Sequence, residues 1–154
     1  MLQAFCGRPL AAIILIANLL PGPHVQAQVV RPETVAAGLQ NPWRLAFLPG
    51  GRFLVTERPG RLRVVALDGK LAPPVAGLPR IAAGGQGGLL DVVLDGDFAR
   101  NRQLYFCFSE PAPMGNGNST ALARATLSAD DTRLENVKVL FSQQPKVALS
   151  LIHI

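Results

Sequence analysis

One glycine-rich stretch holds a side chain that could contact a substrate. Gln86 lies within Gly84–Gly88, and an apolar, strand-like run begins at Leu89. Glycine lets the backbone adopt a positive φ and approach a ligand closely. A single polar side chain held on such a loop is therefore a candidate for substrate binding. A flexible connector between two strands is the alternative interpretation of the same pattern.

Two other patterns could carry chemistry, but each has a structural interpretation that we prefer. Asp95 and Asp97 flank a glycine after the apolar run, and they could ligate a metal or cap a turn; we expect the turn. Cys107 lies between two phenylalanines and is expected to be a small buried hydrophobe. Cysteine and histidine do not cluster at metal-ligand spacing, so we predict no metal site in this chain.

The composition is that of a globular chain long enough for one domain. Of the 154 residues, 49% are hydrophobic and 16% are charged, which argues against disorder. The formal net charge is +5, but the basic residues are scattered and form no run that would follow a phosphate backbone. We therefore expect no nucleic-acid partner.

The first 27 residues have the pattern of a secretory signal peptide. Arg8 precedes an apolar core, Leu10–Leu20, and Val25–Ala27 offers small residues for cleavage. The core is short for a bilayer span, which takes about 20 apolar residues, so a retained anchor is the less favoured alternative. We expect a periplasmic or secreted protein without a membrane anchor after cleavage. Cys107 would then be the one cysteine of the mature chain, which rules out an intrachain disulfide.

The mature chain is a series of short strand candidates separated by turns rich in glycine, proline and aspartate. Two successive groups of four strands repeat with a period of about 50 residues, the size of one propeller blade. A propeller needs roughly 4–8 blades, so the chain is either another small β fold or part of a larger protein. The strand candidates are Trp43–Leu48, Arg52–Glu57, Arg61–Leu67, Leu71–Val75, Leu89–Leu94, Gln103–Ser109, Ala121–Leu127 and Val137–Phe141.

The sequence resembles the soluble, pyrroloquinoline-quinone (PQQ)-dependent aldose sugar dehydrogenases of the glucose/sorbosone dehydrogenase family. The likeness runs from about Val35 to Lys146. The segments that carry it are Gly38–Leu62, Gly85–Asp91, Asp97–Phe98, Leu104–Tyr105 and Ser109–Glu110. The resemblance implies an all-β fold, the N-terminal portion of a six-bladed β-propeller with about two four-stranded antiparallel blades present.

The resemblance also implies a reaction and its cofactors. An aldose would be oxidised at its anomeric carbon to a lactone, as a histidine base takes the hydroxyl proton and hydride passes to PQQ, with calcium ions helping to bind the quinone. An external acceptor would then take the electrons. Gln86 matches the family glutamine that lies beside the sugar, and a neutral amide suits hydroxyl groups. Asp91 is interpreted as structural and Trp43 as a blade-core aromatic.

The family's catalytic histidine has no match in this chain. Pro145 and Lys146 match the approach to its loop, and His153 falls near the expected distance. We reject His153 because it lacks the flanking glycines and lies in an apolar run beside the terminus. Catalytic residues are therefore expected to be absent, the PQQ and calcium ligands to lie beyond residue 154, and the chain alone to be inactive.

These expectations divide the chain into residues 1–27, a signal peptide; residues 28–148, the N-terminal part of a glucose/sorbosone dehydrogenase-type propeller; and residues 149–154, a non-native tail. The alternative function is a secreted, non-catalytic propeller-type module that binds a glycan or a protein. The sequence does not indicate which sugar is preferred or what the oligomeric state is.

The six-residue tail gives a prediction about the gene. Leu149–Ile154 reads Leu-Ser-Leu-Ile-His-Ile, which is one translated frame of a transposon-end adapter used in sequencing libraries, CTGTCTCTTATACACATC. We expect the nucleotides under these codons to be that adapter. Sequencing the locus from genomic DNA tests this, and an unrelated codon series at residues 149–154 would contradict it.

Overall fold

A computed structural model describes residues 30–147 and shows two antiparallel sheets joined by loops, with one short helix. Residues 33–147 belong to one compact unit. The predicted signal peptide and tail lie outside the described residues. Within the described range, no helix has the length and apolar character needed to cross a membrane. The elements are β1 (Pro42–Phe47), β2 (Phe53–Glu57), β3 (Arg61–Val65), β4 (Leu89–Leu94), α1 (Phe98–Asn101), β5 (Gln103–Pro111), β6 (Asn118–Leu127) and β7 (Leu134–Ser142).

The first sheet has the order β1-β2-β3 and differs from the prediction at its fourth strand. Leu71 forms an isolated bridge with Val65, and the amides of Ala72 and Val75 donate to carbonyls of β3. The segment follows β3 without becoming a regular strand. Pro73 and Pro74 explain this, because proline has no amide hydrogen for a strand ladder.

The second sheet has the predicted four strands, in the order β4-β5-β6-β7. In the β4–β5 pair, Val92 lies opposite Phe106. The β5–β6 pair is longer and extends from Gln103 opposite Thr126 to Pro111 opposite Asn118. Residues of β6 alternate strictly between half-buried and buried. This period of two shows that one face of the sheet packs into the interior.

The core lies between facing sides of the two sheets. Leu54 and Val64 from the first sheet belong to the same buried cluster as Phe106 and Phe108 from the second. The inward positions of β6 are small, which leaves room for the aromatic rings of β5 beside them. These small residues are Ala121, Ala123 and Ala125, each at most 1% exposed.

Both sheets carry exposed apolar residues on their outward sides. On the first sheet, Trp43 is 49% exposed and Phe47 is 71% exposed, so Trp43 is not the core aromatic that we expected. On the second sheet, Val93 and Phe141 are exposed. Strand β1 lies at a sheet edge. Neighbouring apolar residues that face solvent are typical of surfaces that pack against further structure.

Polar contacts also join the sheets. The buried Thr56 hydroxyl donates to the Leu90 carbonyl over 2.6 Å and accepts from the Arg44 amide over 3.0 Å. Asp131 accepts from Arg52, which follows β1, and from Arg102, which precedes β5. These two groups of contacts, one at Thr56 and one at Asp131, fix the position of one sheet relative to the other.

The strand directions separate the loops into two groups. One group of loops, which we call the upper end, consists of residues 40–42, 58–60, 84–88, 110–117 and 143–147. The other group, which we call the lower end, consists of residues 48–52, 66–70, 95–102 and 128–133. At the upper end, Lys146 is 8% exposed and donates to Glu110 at 2.6 Å and to Ser119 at 2.9 Å. This contact anchors the segment after β7.

We expect Thr56→Val to lower the free energy of unfolding by about 1–3 kcal/mol, because the buried Leu90 carbonyl and Arg44 amide lose a hydrogen-bond partner. Urea unfolding of the purified protein measures the change. Thr126→Val is the matched control, since Thr126 is half-buried on β6 and its hydroxyl makes no hydrogen bond to another described residue. Equal losses for the two variants would contradict the bridging role of Thr56.

We expect the Glu110–Lys146 pair to make stability depend on pH. Hydrogen bonds from Lys146 and Ser142 lower the pKa of Glu110 below its ordinary value of 4.5. The stabilisation is therefore complete above pH 4.5 and is lost as the pH falls through the lowered pKa of the folded state. Glu110→Gln should cost about 1–2 kcal/mol near neutral pH, with a smaller difference from wild type in acid.

Chemical unfolding at several pH values measures this effect. Glu135→Gln is the matched control, because Glu135 pairs with Arg133 on the surface, where ion pairs contribute about 0–1 kcal/mol. A Glu110→Gln difference that stays constant from pH 7 to pH 3 would show that the ionised carboxylate is not the stabilising group.

Candidate functional site

An open cavity of about 320 Å³ lies at the upper end, between the β2–β3 turn and the glycine-rich loop. Small-molecule sites range over about 300–1,000 Å³, so this volume suits a small ligand. Backbone atoms of glycine residues form much of the wall. The lining residues are Asn41, Arg58, Pro59, Ala83, Gly84, Gly85 and Gly87.

Gln86 occupies a tight turn beside this cavity. The Gly87 amide donates to the Gly84 carbonyl over 2.8 Å, and the reverse bond measures 3.4 Å. Gly85 has φ 53°, the positive value that a type II′ turn requires at its first central position. Gln86 is the second central residue, and its side chain is exposed. The stretch that could have been a flexible connector is therefore a closed turn that presents an amide to solvent.

Gly88 allows the chain to pass close to the neighbouring turn. Its φ is 152°, and a Cβ atom there would lie 2.1 Å from the Arg58 carbonyl oxygen. The next amide, that of Leu89, donates to this same oxygen over 3.2 Å. The Gly88 amide donates to the buried Ser109 hydroxyl over 3.1 Å. A larger residue at position 88 would push apart the two loops that line the cavity.

Arg58 reaches the glycine-rich turn with its side chain. One guanidinium nitrogen, Nη2, donates to the Gly85 carbonyl. The guanidinium carbon lies 5.9 Å from the centroid of the Trp43 ring, within the range of a cation–π contact. The Arg58 amide donates to the Asn41 carbonyl over 3.0 Å. Arg58 thus contacts residues from both walls of the cavity.

Glu57 fixes the part of the cavity wall that Asn41 forms. Its carboxylate is inaccessible to solvent and accepts from Arg61 Nε over 2.7 Å and from the Gln40 amide. Burial alone would raise the pKa of Glu57, but the bonds from Arg61 and Gln40 and the charges of Arg61 and Arg63 outweigh burial and lower that pKa. The ionised carboxylate fixes Gln40, and therefore the position of Asn41 in the cavity wall.

The structure does not bring the other residues singled out by sequence to this cavity. Asp95 and Asp97 lie at the lower end, beyond the far end of β4. Asp95 accepts from the Asp97 amide over 2.9 Å and from the Asn101 side chain over 2.8 Å, and these bonds lower its pKa. This is the predicted Asp-capped turn. His153 lies outside the described residues.

Asp91 and Cys107 lie on the outward side of the second sheet. Asp91 is exposed on β4, and Cys107 is partly rather than fully buried on β5. Burial and the nearby charge of Asp91 raise the pKa of the Cys107 thiol. A raised pKa keeps the thiol protonated, so it is a poor nucleophile. Cys107 was expected to be a small buried hydrophobe and is only partly buried, because it lies on the outward side of the sheet.

The described residues do not form a site for PQQ or calcium. PQQ is anionic and needs cationic partners, yet Arg58 is the one cationic side chain that lines the cavity, and Gly85 and Trp43 already engage it. Within residues 30–147, no three His, Cys, Asp or Glu side chains gather in a way that could hold a metal. We therefore assign no cofactor ligand to these residues.

A second cavity, of about 330 Å³, lies at the lower end near Arg52 and Asp131. Asp131 is already paired with Arg52 and Arg102. Asp131 is therefore occupied by protein partners, and none of the residues singled out by sequence lines this cavity. Gln86 also lies at the opposite end of the chain's strands. We therefore place the candidate site at the upper end.

Sequence reasoning missed the contact between Arg58 and the glycine-rich turn. Arg58–Pro59–Gly60 has the pattern of an ordinary turn, and the pattern does not show what the arginine contacts. The partner, Gly85, is 27 residues away. A lone arginine between a buried strand and a turn was the available signal, but identifying its partner required the packing of one sheet on the other.

Comparison with known proteins identifies the family. The sequence profile described as Glucose / Sorbosone dehydrogenase matches residues 39–152. Aldose sugar dehydrogenase YliI of Escherichia coli K12 is 39% identical over 120 residues, which are 77% of this chain and 32% of that protein.

Solved structures give the same result. A glucose dehydrogenase structure is 53% identical, with a TM-score of 0.68, over 71% of this chain and 34% of that one. The PQQ-bound aldose sugar dehydrogenase of Streptomyces coelicolor is 28% identical, with a TM-score of 0.63, over 76% of this chain and 34% of that one.

These matches confirm the predicted fold class, an all-β chain built from propeller-type blades. The chain spans about a third of the length of the relatives that it matches. The sequence match covers the glycine-rich turn, the β2–β3 turn and all seven strands. The chain belongs to the glucose/sorbosone dehydrogenase family.

Proposed function

We propose that this chain supplies the N-terminal part of a sugar dehydrogenase and contributes Gln86 to its sugar site. The observation that carries the proposal is the exposed amide of Gln86, held on a closed turn beside a cavity in a chain of this family. An amide can both donate to and accept from sugar hydroxyls without adding charge. The substrate class is an aldose, oxidised at the anomeric carbon to a lactone.

The names of the relatives support the reaction and the cofactor. The Escherichia coli relative is called an aldose sugar dehydrogenase, and the Streptomyces coelicolor structure is a PQQ-bound form of one. We propose PQQ, assisted by calcium, as the cofactor of the whole protein. Its ligands and the histidine base belong to parts of the protein outside residues 30–147, since the described residues provide neither.

The outward sides of the two sheets support a larger propeller. Trp43 and Phe47 are exposed on one side, and Val93 and Phe141 are exposed on the other. In a closed ring of blades, each of these sides packs against a neighbouring blade. The relatives are about three times as long as the matched segment. We propose that further blades cover both sides and bring the remaining catalytic groups to the upper end.

The setting of the reaction is also part of the proposal. The protein is periplasmic or secreted, is directed there by residues 1–27, and passes its electrons to an external acceptor. Sugar enters the upper end, where Gln86 is accessible.

We expect Gln86→Ala in the full-length protein, reconstituted with PQQ and calcium, to lower kcat/KM for an aldose about tenfold. This corresponds to the loss of about 1.4 kcal/mol of hydrogen bonding to the sugar. Steady-state oxidation of glucose and other aldoses with a dye acceptor measures the change. Gln103→Ala at the lower end is the matched control and should leave kcat/KM unchanged.

The outcomes separate the parts of the proposal. The 154-residue chain alone, given PQQ, calcium, glucose and dye, should show no turnover; turnover would show that the chain holds a complete site. A loaded full-length protein that binds sugars but oxidises none would instead support a binding module. Equal kcat/KM for Gln86→Ala and wild type would remove Gln86 from the sugar site.

A further inference from the structure

We propose that Arg58 is a positioning residue for Gln86. Its guanidinium holds the Gly84–Gly87 turn and so sets where the turn presents the exposed Gln86 amide beside the cavity. The inference rests on the proposed function, because it assumes that Gln86 contacts sugar. In this proposal Arg58 does not contact the sugar itself and affects sugar binding only by holding the turn.

Arg58 holds the glycine-rich loop at two places, one on each side of Gln86. Its side chain donates to the carbonyl of Gly85, the residue before Gln86. Its backbone carbonyl accepts from the amide of Leu89, three residues after Gln86, over 3.2 Å. Gly88 makes this second approach possible. The span that carries Gln86 is therefore fixed at both ends by one residue of the first sheet.

Arg58 is also the one side chain, among residues 30–147, that hydrogen-bonds to the exposed tip of the turn. The other bonds at the tip join Gly84 to Gly87 and so lie within the turn itself. They lie within the turn and do not tie its tip to the first sheet, so among the described residues the tip is ordered from outside only through Arg58. The Ser109 hydroxyl bonds further along, at the Gly88 amide. Removal of the Arg58 side chain would thus free the tip while Gly88 and Leu89 remain held.

The guanidinium is itself held in one orientation. It lies near the Trp43 ring, with the guanidinium carbon 5.9 Å from the ring centroid, within the range of a cation–π contact. A planar guanidinium can stack on an aromatic face and still direct a fixed N–H at a carbonyl, which an ammonium group on a flexible stem cannot do. Arginine therefore suits this position better than lysine.

The composition of the turn explains why it needs an external contact. Glycine has more accessible backbone conformations than any other residue, so a turn with glycines around Gln86 loses much entropy when it is ordered. If Arg58 does not order the turn beforehand, sugar binding must do so. A preordered turn binds sugar more tightly without changing the chemical step. The expected signature is a change in KM rather than in kcat.

The test uses the full-length protein loaded with PQQ and calcium. Arg58→Met keeps the aliphatic length and the backbone contact but removes the bond to Gly85. We expect it to raise KM for the aldose about fivefold to tenfold, with kcat within twofold of wild type. Arg58→Lys should give a smaller rise in KM. Arg100→Met is the matched control, since Arg100 pairs with Asp97 at the lower end, and it should change neither value.

A double-mutant cycle tests whether Arg58 acts through Gln86. If it does, Arg58→Met combined with Gln86→Ala has a KM no higher than Gln86→Ala alone. A KM equal to the product of the two single effects overturns the positioning role. If Arg58→Met fails to fold, Arg58→Lys replaces it in the same cycle and is judged by the same rule.

Hydrogen exchange of the Gly87 amide gives a readout that does not depend on activity. This amide closes the turn onto Gly84, so we expect it to exchange at least tenfold faster in Arg58→Met and at the wild-type rate in Arg100→Met. An unchanged rate in Arg58→Met overturns the inference. If Gln86→Ala leaves kcat/KM unchanged, the sugar contact in the proposed function fails, and the Gly87 exchange rate still decides whether Arg58 orders the turn.

Discussion

The packing of one sheet on the other is the constraint on which the upper end depends. Each sheet has one continuous apolar side, and burial of a large apolar side chain contributes about 1.5–3 kcal/mol. Phe106 and Phe108 pack between the sheets because β6 presents alanines at its inward positions. Thr56 adds a hydrogen bond across the interface. Once the sheets are placed in this way, the turn after β2 and the loop before β4 must meet, and a cavity forms between them.

Where the β2–β3 turn meets the glycine-rich loop, arginine side chains neutralise a buried carboxylate and also order a flexible stretch of backbone. The buried carboxylate of Glu57 is neutralised by Arg61 and Arg63, so the guanidinium of Arg58 is left to contact Gly85 and Trp43. The glycines let the loop approach the Arg58 backbone closely but cost entropy when the loop is ordered. The contacts of Arg58 offset part of that cost. The result is a flexible sequence held in one conformation beside a cavity.

Much of the local structure was predictable, because it depends on residues that are neighbours in sequence. Short apolar or alternating runs between turn residues predicted β1, β2, β3 and the four strands of the second sheet, and Asp95 caps its turn as expected. The segment at Leu71–Val75 was predicted as a strand but forms an isolated bridge, since two prolines cannot join the ladder. Trp43 and Cys107 were expected to be buried. Burial depends on what covers a sheet, which alternation within one strand does not reveal.

The sequence by itself determined the strand order, the turn chemistry and the family resemblance, including Gln86 as the residue that matches the family's sugar-contacting glutamine. Each of these depends on residue types within a few positions of one another. Tertiary structure decided that Gln86 lies in a closed turn beside a cavity, that Arg58 holds this turn, and that Asp95 lies at the opposite end. The cavity and the Arg58 contact are relations between segments far apart in the chain, and they arise only when the two sheets pack together.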